Sequence, residues 1–152
     1  MKKKIVKMLA IGLLIATAFV VLVPTAFACG SQYVTVTINT GDLTSDMFPF
    51  PVTFDARATG FYKGVWGVGN LHDPYACGES QMLLAGSICG NTVILSGLIV
   101  KTQYVQELVG TKVTIVTTGG DISVTLNFRH VKGWELSGAT FVFTGKASVS
   151  IT

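Results

Sequence analysis

The stretch "GGDISVTLNFR", residues 119–129, decides the fold class. Its two glycines and aspartate are a tight-turn signal, and the residues that follow alternate strictly between apolar and polar. The apolar residues share one parity: Ile122, Val124, Leu126 and Phe128. Alternation with a period of two buries one face of an extended segment and leaves the other in water. The stretch therefore predicts a turn followed by a β-strand with one buried face.

Strand patterns of this kind recur along the chain. Parallel sheets need crossover helices, and the sequence predicts none of normal length, since residues 104–110 suffice for only one or two turns. We therefore expect a single all-β domain with an antiparallel sheet of about eight strands. The predicted strands are 33–39, 52–59, 61–69, 81–88, 92–100, 111–118, 121–129 and 139–151.

Two segments carry more specific expectations. Residues 92–100, "TVILSGLIV", are apolar at both parities, which is typical of a strand covered on both faces. Trp66 lies between glycines in "KGVWGVG", residues 63–69, and we expect its ring in the core, where the glycines relieve crowding.

The connections between the predicted strands alternate in length. Tight-turn signals occur at Gly60, at Gly90-Asn91 and at 119–121, whereas the intervening connections are longer. In an up-and-down arrangement, this alternation places every long connection at one end and every tight turn at the other. The pattern favours an up-and-down β-barrel, with a Greek-key β-sandwich as the alternative. The long connections are 40–51, 70–80, 101–110 and 130–138.

The first 28 residues predict a signal peptide, which leaves residues 29–152 as the secreted β domain. "MKKKIVK" is a basic start, an apolar run follows, and "AFA" at 26–28 is a small-x-small cleavage site. A retained membrane helix is the alternative, but no basic stop-transfer cluster follows the apolar run.

Removing this segment changes the charge. Four of the 11 basic residues belong to it, so residues 29–152 hold seven basic residues against eight acidic ones, a net charge of −1. No run of like charges remains, so we expect no nucleic-acid partner, no basic membrane patch and no membrane insertion after cleavage.

The segment richest in reactive side chains is "NLHDPYACGES", residues 70–80. His72 with Asp73 or Glu79 fits a proton-transfer pair. The same residues, joined by His130, fit a metal site. An Asp-Pro turn with solvated polar side chains is the simpler interpretation.

Aromatic and histidine side chains concentrate in the predicted long connections. At the mouth of a barrel, such a cluster is typical of a site for a small molecule or a glycan. The predicted ligand-binding residues are His72, Tyr75, Tyr104, His130 and Trp134.

These features favour a secreted, non-catalytic binding module. Two alternatives come from other classes of protein: a structural cell-surface protein that self-associates as a homo-oligomer, and a small enzyme that uses His72 with Asp73 or Glu79. The sequence lacks the nucleophile-elbow, zinc-protease, paired-cysteine and phosphate-loop motifs. We therefore expect no catalytic residue, no metal and no cofactor.

The three cysteines leave one without a partner. Cys77 and Cys89 bracket a predicted eight-residue strand, whose ends lie about 26 Å apart at roughly 3.3 Å per residue, whereas a disulfide needs Cα atoms within about 7 Å. Cys29 and Cys89 both belong to the tight-turn end, so we predict a Cys29–Cys89 disulfide. The alternative is a lipid anchor on Cys29, which would leave Cys77 and Cys89 to pair.

We expect the exported protein to begin at Cys29, without lipid and with one disulfide. Intact-mass measurement before and after reduction checks this, because reduction adds two hydrogens per disulfide. A mass that includes acyl chains would contradict free secretion, and peptide mapping that joins Cys77 to Cys89 would contradict the predicted pairing.

Overall fold

The computed structural model describes residues 32–152, which form a closed antiparallel β-barrel. The predicted signal peptide and Cys29 lie outside the described residues. A short 3-10 helix spans Gln106–Leu108, and no helix within residues 32–152 is long and apolar enough to cross a membrane. The strands are β1 (Tyr33–Thr40), β2 (Leu43–Ser45), β3 (Phe48–Phe61), β4 (Gly64–Asp73), β5 (Gly78–Cys89), β6 (Thr92–Thr102), β7 (Lys112–Thr118), β8 (Asp121–Asn127) and β9 (Thr140–Ile151).

The barrel closes because β1 pairs with both β3 and β9. β2 continues the course of β1 and pairs with the same two strands, opposite Val52 on β3 and Thr144 on β9. The wall therefore has eight positions, and β1 and β2 share one of them. Every other pairing joins strands that are consecutive in the sequence. The predicted up-and-down barrel is confirmed, and the Greek-key alternative is wrong.

Alternation along each strand fills the barrel interior. In β8, Ile122, Val124 and Leu126 are buried while the residues between them are partly exposed, as the opening stretch predicts. The same period of two on the other strands makes one continuous apolar core inside the wall.

Several positions on the inside of the wall are occupied by small residues. On one ring of paired residues, Gly67 lies between Ala58 and Leu84, and Gly97 follows Leu84. A Cβ at Gly67 would lie 1.9 Å from the carbonyl oxygen of Arg57. The backbone of the neighbouring strand thus occupies the space that a side chain would need, so this position requires glycine.

The tight-turn end has turns at residues 62–63, 90–91 and 119–120. The turn predicted at Gly60 lies two residues later, at Tyr62-Lys63. Gly60 itself belongs to β3, with φ at 148°, and a Cβ there would lie 2.2 Å from the carbonyl oxygen of Gly64. Its glycine reflects a close approach inside the sheet rather than the turn itself.

The opposite end of the barrel, here called the long-loop end, differs from the prediction in two of its four connections. Segments 40–51 and 70–80 are mostly strand, so that residues 46–47 join β2 to β3 and residues 74–77 join β4 to β5. Residues 48–52 contain two prolines and pair with β2 on one side only. A strand edge without a partner tolerates proline, which cannot donate a backbone hydrogen bond.

The other two connections at this end are long, as predicted. Residues 103–111 join β6 to β7, and residues 128–139 join β8 to β9.

Two predictions of burial are wrong. Trp66 faces outward from β4 with 68% of its surface exposed, and Ile94 and Leu98 on β6 are each 45% exposed. No second layer of the described chain covers the outside of the barrel, so an outward-facing apolar residue stays in solvent.

The two cysteines within residues 32–152 form no disulfide with each other. Cys77 lies in the turn between β4 and β5, whereas Cys89 ends β5 at the opposite end of the barrel. Both are exposed. The predicted Cys29–Cys89 disulfide stays a prediction, because Cys29 lies outside the described residues.

We expect Gly67→Ala to lower the free energy of unfolding by about 1–3 kcal/mol, because the added methyl group meets backbone that cannot move aside cheaply. The matched control on the same strand is Gly64→Ala, where nothing lies within 4 Å of the added Cβ. Denaturant unfolding checks both, and the control should stay within about 0.5 kcal/mol of the parent. Equal effects of the two substitutions would contradict the requirement for glycine at position 67.

Candidate functional site

A cavity of about 180 Å³ opens inside the long-loop end of the barrel. Four phenylalanines form most of its aromatic wall: Phe48, Phe128, Phe141 and Phe143. Aliphatic residues from β3, β4, β6 and β8 complete the apolar lining: Val52, Leu71, Ile99 and Leu126. These residues face inward near the long-loop end, where the side chains of the barrel interior leave part of the space unfilled.

Two hairpins rise beside the mouth of the cavity. The β2–β3 hairpin carries Phe50, and the β4–β5 turn carries Tyr75, and their ring centroids lie 4.8 Å apart. Phe50 also makes an edge-to-face contact with Phe48, which lines the cavity. Aromatic contacts of this geometry add about 0.5–1.5 kcal/mol beyond burial. The rim is therefore an aromatic bridge between the two hairpins.

The two long connections cover the other side of the mouth. Leu108 from the 3-10 helix and Leu136 from residues 128–139 both line the cavity. The connections are linked by the Arg129 side chain, whose Nε donates to the carbonyl oxygen of Glu107 over 3.3 Å. Trp134 packs edge-to-face on Phe128 with centroids 5.3 Å apart. These contacts hold the cover in place over the apolar cavity.

Tyr104 is the polar anchor of the site. Its hydroxyl donates to the carbonyl oxygen of Gly78 and accepts from the backbone N–H of Asp73 over 3.0 Å. The ring lies so close to Gly78 that a Cβ there would be 2.6 Å from its Cε1 atom. The hydroxyl thus ties the facing ends of β4 and β5 to the connection after β6.

Burial is the main cause that raises the pKa of Tyr104 above its ordinary value of 10.0. The hydrogen bond with Asp73 lowers the pKa, while the negative charges of Asp73, Glu79 and Cys77 raise it. The Tyr104 hydroxyl therefore stays protonated and continues to donate its hydrogen bond to the carbonyl oxygen of Gly78.

Two further polar side chains line the cavity, and both have partners within the protein. The Asp73 carboxylate accepts from the backbone N–H groups of Tyr75 and Ala76 at 2.8 and 3.2 Å. The Ser80 hydroxyl, which is buried, lies 2.9 Å from the hydroxyl of Thr102. A hydroxyl group has one donor and two acceptor sites. Ser80 therefore keeps capacity for up to two further hydrogen bonds, at least one of them as acceptor.

The structure places the five predicted ligand-binding residues differently from one another. Tyr104 lines the cavity, and Trp134 and Tyr75 lie in its cover and rim. His72 is exposed on the outer face of β4, opposite Glu79 on β5. His130 is exposed too, and its ring packs over Gly138. Neither histidine lines the cavity. Their role in binding stays a prediction.

Sequence reasoning did not select the residues that make the cavity. Phe128, Phe141 and Phe143 lie on the apolar parity of alternating segments, a pattern that predicts ordinary core residues. The signal that was available is position: they are the inward-facing residues nearest the long-loop end of their strands. Within residues 32–152, no three side chains among His, Cys, Asp and Glu gather in the way that a metal ion requires.

Comparisons with protein-family models, with curated proteins and with solved structures gave no match to this chain. The geometry itself therefore defines the class of protein: a closed antiparallel β-barrel of eight wall positions, with an apolar cavity at one end.

We expect the Tyr104 hydroxyl to make the barrel sensitive to alkaline pH. Because its pKa is raised in the folded state, its contribution to stability is present below pH 10.0 and is lost as the pH rises through the raised pKa. Unfolding midpoints between about pH 8 and pH 11 should therefore fall more for the parent than for Tyr104→Phe.

Tyr75→Phe, which removes an exposed hydroxyl from the neighbouring turn, controls for the loss of one phenol. Identical alkaline losses in the parent and in Tyr104→Phe would contradict the assigned role of Tyr104.

Proposed function

We propose that this protein is a secreted, non-catalytic binding module that holds a small apolar molecule in the cavity at the long-loop end. The observation that carries the proposal is the cavity itself, which is lined by apolar side chains from all around the barrel. Cavities with mostly apolar walls and a few placed polar groups are the usual form of small-molecule sites.

The volume limits the ligand to about one ring. A cavity of 180 Å³ is close in size to an engineered apolar cavity of about 150 Å³ that binds benzene. The polar lining adds one requirement, since Ser80 can make at least one further hydrogen bond. A single aromatic or alicyclic ring with at most one hydroxyl or carbonyl group matches both properties.

A glycan is the less suitable ligand for this cavity. Sugars present many hydroxyl groups, and each one that is buried without a partner costs about 1–3 kcal/mol. Of the three polar side chains that line the cavity, Asp73 and Tyr104 are already engaged in hydrogen bonds to the backbone. The lining thus favours an apolar ligand.

The same residues support binding rather than catalysis. Asp73 and Tyr104 are the titratable groups among the lining residues, and each is fixed by contacts that hold the turn and the strand ends together. His72 and Glu79, the pair on which the enzyme alternative depends, face outward across β4 and β5 rather than into the cavity.

Benzene and phenol are suitable probes, and backbone amide shifts in NMR spectra report where they bind. We expect both to shift the amides around Leu71, Ser80 and Leu126. Phenol should bind more tightly than benzene to the parent. Ser80→Ala should remove that preference, a change of roughly 2- to 10-fold, because one hydrogen bond contributes about 0.5–1.5 kcal/mol.

A blocking variant and its matched control test the position of the site. Leu136→Trp adds bulk in the cover of the cavity, so we expect weaker binding of both probes. Leu98→Trp makes the same substitution on the outer face of β6 and should leave binding unchanged. Unchanged binding in Leu136→Trp, or probe shifts confined to the outside of the barrel, would contradict the proposal.

A further inference from the structure

The outer surface of β4, β5 and β6 carries a cluster of exposed apolar side chains. We call it the outer apolar face, and its members are Trp66, Val68, Leu83, Ile94 and Leu98. Strand pairing brings them together, since Val68, Leu83 and Leu98 occupy directly paired positions on three neighbouring strands. Trp66 and Leu83 are 68% and 57% exposed. Contiguous exposed apolar surface of this kind marks interaction sites.

Basic side chains border this face. The row that contains Val68, Leu83 and Leu98 continues to Arg57 on β3 and to Lys112 on β7. Lys63 lies exposed in the turn just before β4. From that row to the tight-turn end, the outward-facing residues of β3 to β7 in the described chain include no acidic side chain. The face therefore suits a partner that is both apolar and anionic.

A second copy of this chain would present an apolar and basic face rather than an apolar and anionic one. A two-fold interface presents the same patch on both subunits. An axis through Leu83, the middle of the row, would bring Arg57 of one copy close to Lys112 of the other. Like charges placed opposite each other cost several kcal/mol. The charges thus disfavour a dimer through this face.

Exposed aromatic side chains also border this face at the start of the described chain. Gln32 directly precedes Tyr33, the first residue of β1. Tyr33 pairs with Phe61 across β1 and β3, with ring centroids 5.6 Å apart, and both rings are exposed. Exposed aromatic rings therefore extend from the start of β1 toward Trp66. Tryptophan and tyrosine concentrate at the interface between membrane and water.

We infer that the outer apolar face docks on the surface of an anionic lipid bilayer. Trp66 and Phe61 would lie at the level of the headgroups, with Arg57, Lys63 and Lys112 near the phosphates. The sequence predicts no basic membrane patch, because residues 29–152 contain no run of like charges. The sheet instead gathers basic residues that are far apart in sequence, and the contact is peripheral rather than an insertion.

Trp66 can report on this contact directly. In a Trp134→Phe variant of residues 29–152, the exported form that the sequence predicts, Trp66 is the single tryptophan. Its fluorescence is measured against vesicles of phosphatidylglycerol or phosphatidylcholine with brominated acyl chains, which quench nearby indole rings. We expect strong quenching by the anionic vesicles and little by the neutral ones.

Charge variants separate this face from the rest of the barrel. Each basic residue near an anionic surface contributes about fivefold in affinity, so Arg57→Gln with Lys112→Gln should need roughly 30-fold more anionic lipid for half-maximal quenching. The control, Lys132→Gln with Lys146→Gln, removes the same net charge from exposed positions elsewhere, although Lys146 is ion-paired with Asp121, and should match its parent.

Three results would overturn the inference. The first is absence of Trp66 quenching by phosphatidylglycerol, and the second is equal lipid dependence of the two double variants. The third is a blue shift of Trp66 that follows protein concentration without lipid, which would assign the face to a second copy.

Discussion

Closing the sheet on itself is the constraint on which the rest of this structure depends. A ring of eight wall positions has a fixed interior, and inward-facing side chains must fill it without collision. The protein meets this requirement by combining small and large residues on the ring, as at Ala58, Gly67 and Leu84. Where the backbone of a neighbouring strand comes within 2 Å of an ideal Cβ position, only glycine fits. The outward-facing residues are free of this constraint, which is why their chemistry can serve other purposes.

Most of the fold follows from the sequence, because the period-two alternation and the tight turns are local signals. The strand in "GGDISVTLNFR" and the turn at residues 119–120 appear where the pattern places them. The errors concern properties that depend on the rest of the chain. Residues 40–51 were predicted as a long connection, but the structure adds β2 and extends β3 back to Phe48, with one edge of residues 48–52 unpaired. The prediction that Trp66 lies in the core is wrong, because a tryptophan between glycines does not indicate whether its side chain points into or out of the barrel.

The site was less predictable than the fold, and for a physical reason. Polar and aromatic residues in the connections are the ones that a sequence predicts as binding residues. Of these, Tyr104 lines the cavity, while Trp134 and Tyr75 lie beside it. The walls come from residues such as Phe141, whose pattern is that of ordinary core. A core residue becomes a cavity residue when the packing above it is incomplete, and that depends on how residues 103–111 and 128–139 fold over the mouth. Such packing is not a local property of the sequence.

The pairing of the first strand with the last has a consequence for folding. Thr35 and Thr152 exchange two backbone hydrogen bonds, at 2.7 and 3.0 Å, although nearly the whole described chain separates them. Contacts between such distant residues carry the loop-closure entropy of everything in between, and they slow folding. The wall remains open, with two unpaired edges, until β9 is in place. A nascent chain therefore cannot close the barrel before β9 has been synthesised.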